Sequence, residues 1–196
     1  MAWLAGSPVP GEGRCAWANS SPAMRDYHDR EWGVPSHDDH HLFEMLTLEG
    51  AQAGLSWATI LNRRAGYRSA FANFDPAKVA RFSDRRLEQL RQDTGIIRNR
   101  LKIYATRTNA KAVVQVQGEF GSFSSYLWRW VDGATVINHP RALADLPATT
   151  DLSDRISKDL KRRNFTFVGS TIVYSLIQSV GIVDDHVVSC PFKKRH

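Results

Sequence analysis

The sequence predicts an all-α fold. Apolar residues recur at spacings of three and four along most of the 196 residues, Ser and Asp stand at the starts of such segments where their oxygens can cap a helix, and sustained period-two alternation is absent. The chain is 42% hydrophobic and 23% charged, which excludes a mostly disordered, collagen-like or coiled-coil protein. A chain of this length buries roughly 70% of its unfolded surface and folds without staples.

Residues 1–13, rich in Gly, Pro and small side chains, read as a flexible tail. Ser21 before Pro22 opens a short helix through Tyr27 and His28, because proline at the first helical position loses nothing by lacking its N–H. Asp38 or Asp39 caps a longer helix carrying Leu42, Phe43, Met45, Leu46, Leu48 and Ala51, and Gly54 ends it. Ser56 caps a helix expected to run from Trp57 to Phe74. Ser83 opens the next, with Leu87 and Leu90 inward and a stop at Thr94–Gly95. From Lys102 a helical pattern reaches about Gln117, where Gly118 and Gly121 break it before a further helix over Ser122–Val131. Asp151 or Ser153 starts a basic helix to Arg163, and Gly169–Val180 is a buried helix. The β-branched stretch Val113–Val116 sits in a helical context.

The net charge is +6, unevenly placed: residues 1–50 carry three basic and eight acidic side chains, net −5, so the rest of the chain is net +11 and attracts anions. No basic segment precedes an apolar stretch at Met1. The most apolar run, Phe165–Val183, is interrupted by Thr166, Ser170, Thr171, Ser175, Gln178 and Ser179, and reads as a buried helix rather than a membrane span. The expectation is a soluble cytoplasmic protein with no membrane partner. Two cysteines, Cys15 and Cys190, exclude a disulfide framework and leave either one disulfide or a shared metal site joining the chain ends.

Three constellations bear chemistry. Thr94–Gly118 holds Arg98, Arg100, Lys102, Arg107 and Lys111 without one carboxylate. It follows Leu87 and Leu90 through a turn at Gly95, Ile96 and Ile97. Such a helix–turn–helix leaves turn N–H groups free to hold a phosphate, although a solvated basic face has the same composition. Cys15 and His28, with His186 and Cys190 four residues apart, form a set suited to tetrahedral zinc with no open position for water, or else are buried cysteines and hydrogen-bonded histidines. Glu49 lies in an apolar helix near Trp17, Tyr27, Trp32 and Trp57. A buried carboxylate there needs a partner or a ligand, unless Glu49 faces water.

In combination and order, RCAW at 14–17, YHDREWGVP at 27–35, LFEMLTLEGAQAGLSW at 42–57, TGIIRNRLKI at 94–103, KRRNFTFVGSTIVYS at 161–175 and DHVVSC at 185–190 closely resemble the DNA-3-methyladenine glycosylase I family of helix-hairpin-helix glycosylases. The resemblance implies an enzyme that flips 3-methyladenine out of alkylated double-stranded DNA, and since no hairpin lysine can be cast as a Schiff-base nucleophile, the expectation is a monofunctional enzyme without lyase action. It cuts the N-glycosidic bond and releases the free base, starting base excision repair. It further implies one structural Zn2+ per chain on Cys15, His28, His186 and Cys190, and Glu49 as the base-recognising carboxylate. Tyr27, Trp32 and Trp57 would line the base pocket with Trp17 adjoining it, and Gly95, Ile96, Ile97, Arg98, Arg100 and Lys102 would bind DNA. A zinc lobe of residues 14–34 plus 165–196, a helical helix-hairpin-helix domain over 35–164 and a monomer complete the expectation. Ala51 stands where the family often has glutamine.

Overall fold

The structure, a computed structural model, describes residues 13–193, so the tail expected over 1–13 lies outside the described residues except for Gly13. Helix α1 (Pro22–Arg30) starts at Ser21, whose side chain accepts from the Met24 N–H. Helix α2 (Asp39–Gln52) is capped by Asp38 through His40 N–H. Asp39 is freed for tertiary use and accepts the N–H groups of Phe123 and Ser124. Every residue of α2 from Leu42 to Ala51 is buried, which makes it the central helix. It packs against α3 (Trp57–Leu61), α7 (Arg100–Phe120), α8 (Phe123–Trp128) and α10 (Ser170–Ser179).

The expected single helix from Trp57 to Phe74 is instead α3, α4 (Arg64–Ala70) and a 3-10 turn over Ala72–Phe74. At the first break Arg63 covers the Thr59 carbonyl, while Arg64 turns inward to Glu44. Gly66 then meets Gly95 so closely that a Cβ would lie 2.2 Å from the Gly95 carbonyl oxygen. At the second break Ala72, Asn73 and Phe74 all have positive φ. The left-handed cost of roughly 1–2 kcal/mol per residue is offset by burying Phe71 and Phe74 completely, each worth about 1.5–3 kcal/mol.

A short helix α5 (Pro76–Val79) and α6 (Asp84–Leu90, capped by Ser83) lead to a connection over 91–99. Helix α7 begins at Arg100, two residues before the expected Lys102, because Asn99 caps it by accepting from Lys102 N–H. It passes through Gly118, which has open space around it, and ends at Gly121 with φ +85°. Helix α9 (Asp151–Arg162) is capped by Thr150 reciprocally with Ser153, not by Asp151. Short parallel strands β1 (Val136–Ile137) and β2 (Val183–Asp184) pair with Val136 opposite Val183, an element that the weak period-two signal did not reveal. Beyond β2 the chain returns to its start, where Ser189 Oγ donates to the Gly13 carbonyl. No helix of the described residues is long and apolar enough to cross a membrane.

Candidate active site

The carboxyl of Glu49 lies in the last turn of α2 and is 5% exposed, at the wall of a cavity of about 360 Å3. No hydrogen-bond donor of the described residues meets it, and burial alone pushes its pKa up from 4.5 to about 8. Trp17, Tyr27, Trp32 and Trp57, the four aromatics singled out from the sequence, line this same cavity. Their rings form a continuous wall: Trp17 meets Trp32 edge-on at 5.1 Å, Trp17 lies 6.2 Å from Tyr27, and Tyr27 lies 5.2 Å from Trp57. Burial, with the nearby charges of Glu49 and Glu31, holds the Tyr27 phenol well above its usual range.

The wall is held from behind by an ion network. Arg64 donates to Glu44 at 2.8 and 3.1 Å and to Glu31 at 2.7 Å, and Arg68 adds two bonds to Glu44. Glu31 directly precedes Trp32, so the network ties that wall residue to α2 and α4. Burial opposes ionisation of Glu31, but hydrogen bonds from His41 and Arg64 outweigh it and hold the pKa at about 2.

Sequence reading missed Met24, Gln52, Leu143, Leu146, Ser175 and Gln178 in the lining. Gln178 carried a signal, being a polar interruption of the most apolar helix; its amide donates to the buried carboxylate of Asp185 at 2.7 Å. Leu143 opens a 3-10 turn over Leu143–Asp145 and Leu146 follows it, and neither carried a signal. Ala51 is buried outside this lining, and Gln52 occupies the wall instead.

Behind Trp17 and Trp32 lies the cysteine and histidine group. One ligand atom each from Cys15, His28 and Cys190 lies within 4.8 Å of the others, all three residues being buried. His28 Nε2 lies 3.6 Å from Cys190 Sγ, and its Nδ1 is hydrogen-bonded to Asp29 at 2.7 Å. Arg14 in turn grips Asp29 with two bonds of 2.8 Å. The His186 ring lies 4.9 Å from that of His28, with Nδ1 hydrogen-bonded to Asp184 at 2.8 Å and Nε2 buried without a partner among the described residues. His186 and Cys190 do not share a helix face as the spacing allowed; the segment after β2 is irregular. Gly33, at φ +76°, permits this packing, since a Cβ there would lie 2.8 Å from the His186 ring. The two thiols are free among the described residues, and their mutual hydrogen bond lowers the Cys190 pKa while raising that of Cys15.

The basic segment is less open than its composition implied. Gly95 N–H is taken by Asp93 and Ile97 N–H by the Tyr67 hydroxyl, while Ile96 is buried. Helix α6 supplies acids that sequence proximity did not reveal: Arg107 pairs with Asp84 at 2.7 Å, and Arg100 lies 3.8 Å from Glu88. Arg98 and Lys111 are exposed. Lys102 turns inward, its ammonium donating to the carbonyls of Ala51 and Ala53 at 2.7 and 2.6 Å.

The methyladenine glycosylase family profile matches residues 17–194. DNA-3-methyladenine glycosylase 1 of Escherichia coli (strain K12) is 47% identical over 177 residues, which cover 90% of this chain and 95% of that protein. The crystal structure of a 3-methyladenine DNA glycosylase I superposes with a TM-score of 0.89 at 45% identity, covering 92% of this chain and all of that one. A variant of such an enzyme, crystallised in complex with 3-methyladenine, has a TM-score of 0.91 at 34% identity, covering 94% and 99% of the two chains. With its profile match over residues 17–194 and relatives matched over nine-tenths of its length, the chain belongs to the methyladenine glycosylase family.

Proposed function

We propose that this protein is a monofunctional DNA repair glycosylase that flips 3-methyladenine out of alkylated double-stranded DNA and hydrolyses its N-glycosidic bond, starting base excision repair. The observation that carries the reading is Glu49: a carboxyl buried without a donor at the wall of an aromatic cavity is costly unless a donor-rich ligand meets it. A damaged base must leave the stack before any cavity can hold it. Methylation at N3 makes the attached purine cationic, which weakens the bond to the sugar and makes the departing base neutral. The electron-rich faces of Trp17, Tyr27, Trp32 and Trp57 suit such a cation, each good contact being worth about 0.5–2 kcal/mol. Glu49 accepts from the exocyclic amine of adenine, which selects that edge over the carbonyl that guanine presents there. The basic segment Thr94–Gly118 holds no acid, so no general base is assigned there; the lesion supplies the reactivity, and the protein supplies flipping, selection and electrostatic fit. Chromatography of bases released from methylated DNA tests the reading: free 3-methyladenine is expected, and intact DNA overturns it.

The connection over 91–99 and the start of α7 are read as the helix-hairpin-helix that holds the DNA backbone, with Gly95, Ile97, Arg98 and Arg100 at the contact surface and the expected contact Ile96 instead buried beneath them. Arg98 is the exposed cation nearest the turn. Arg98→Ala should weaken binding to damaged and undamaged duplex alike and reduce the salt slope by about one unit, as for one lost phosphate contact. An unchanged slope assigns Arg98 to solvent.

Cys15, His28, His186 and Cys190 are inferred to hold one structural zinc. The residues fit the ion: two thiols suit it, each histidine has a carboxylate on Nδ1 that leaves Nε2 for a metal, and His186 Nε2 has no other partner among the described residues. Four protein ligands leave no position for a reactive water, so the ion would act as a staple between the chain ends. On this reading the staple joins residues 14–34 and 165–196 into a lobe beside a helical domain of 35–164, and a cytoplasmic monomer completes the proposal.

A further inference from the structure

The inward turn of Lys102 is unexplained by a phosphate-binding role. Its side chain leaves the first turn of α7, the end of the hairpin reading above, and reaches the far end of α2. There its ammonium donates to the Ala51 carbonyl at 2.7 Å and the Ala53 carbonyl at 2.6 Å. The last carbonyls of a helix have no partner within the helix and carry its negative end. Helix α2 has no basic residue in its own last turn, so it lacks a cation of its own there. At the start of α7, by contrast, a lysine faces the positive end of its own helix, which disfavours it. The position is therefore matched to α2, not to α7. Partial burial lowers the Lys102 pKa, consistent with an ammonium withdrawn from solvent.

The two carbonyls flank Gln52, and Glu49 lies two and four residues before them. Both side chains line the cavity. We propose that Lys102 is a positioning residue: by binding the C-terminal carbonyls of α2, it locks the turn that carries Glu49 and Gln52 to the DNA-binding connection, so that DNA docking and base recognition share one rigid frame. The proposal rests on the reading of Glu49 as the base-recognising group. It places Lys102 apart from Arg98, which faces solvent a few residues away.

The test compares Lys102→Met and Arg98→Ala in the full chain. Three quantities are measured: single-turnover excision from methylated duplex, the salt slope of binding to undamaged duplex, and quenching of tryptophan fluorescence by free 3-methyladenine. Lys102→Met should slow excision about ten- to hundredfold, the effect of losing a charged hydrogen-bonded contact, and weaken the quenching titration, while leaving the salt slope unchanged. Lys102→Arg, which keeps the charge and donors, should recover part of both losses. Arg98→Ala should instead reduce the slope and weaken duplex binding while leaving the free base bound normally. A reduced slope with normal quenching in Lys102→Met would make Lys102 a phosphate contact and overturn the proposal, as would unchanged values throughout. Should Lys102→Met not fold, Lys102→Gln, a neutral donor, is read against the same outcomes. If the wild-type protein releases no base, the activity itself is misassigned; the quenching comparison still reports whether Lys102 positions the cavity.

Discussion

Glu49→Gln should lower single-turnover excision of 3-methyladenine by roughly one to three orders of magnitude while barely changing affinity for undamaged DNA. Glutamine keeps the shape, removes the charge and halves the acceptor capacity. The pH dependence should change with it. With a pKa of about 8, Glu49 is largely protonated at neutral pH in the free protein, and a cationic lesion favours its ionised form. Excision at subsaturating DNA should therefore rise from pH 6 towards pH 8 in the wild type and stay flat in Glu49→Gln. Stability should move the other way. Between 4.5 and about 8 the unfolded chain has released this proton and the folded one retains it. Wild-type stability relative to the variant therefore falls by about 1.4 kcal/mol per pH unit across that window. Normal excision by a folded Glu49→Gln protein, or parallel pH profiles, would return Glu49 to the role of an ordinary acid.

The second large effect concerns the staple. Elemental analysis should find one zinc per chain, and Cys190→Ala should lose the ion and melting temperature together. Part of the metal's binding free energy is folding free energy, and loss of a few kcal/mol lowers the midpoint by roughly 10 °C in a chain of this size. The remainder should still bind undamaged DNA, because Cys190 lies apart from the connection over 91–99. A metal-free wild-type protein of full stability would leave Cys15, His28 and Cys190 as a buried cluster without an ion.

The caps show how far a sequence can be read by itself. Ser21, Ser56 and Ser83 each open the helix expected of them, Asp38 rather than Asp39 caps α2, and Ser122 caps α8, since a cap bonds an N–H only two or three residues ahead. The family motifs likewise singled out Glu49 and four aromatics that prove to line one cavity. Other features were settled only by the folded chain. The break before Arg64 lies where that residue reaches Glu44, 20 residues away, and the cysteine group joins residues 162 positions apart. Five cations without an acid among them in sequence lose two of their number to α6 partners, and a third, Lys102, to carbonyls 49 and 51 residues distant. Leu143 and Leu146 enter the cavity from a segment without periodicity. The sequence alone determined the helices and the chemical types at the site, because these rest on interactions within one turn and on residue identity. Tertiary structure decided which charges remain free, where helices break and what faces the base, because those depend on contacts whose partners are distant along the chain and meet only when the core closes.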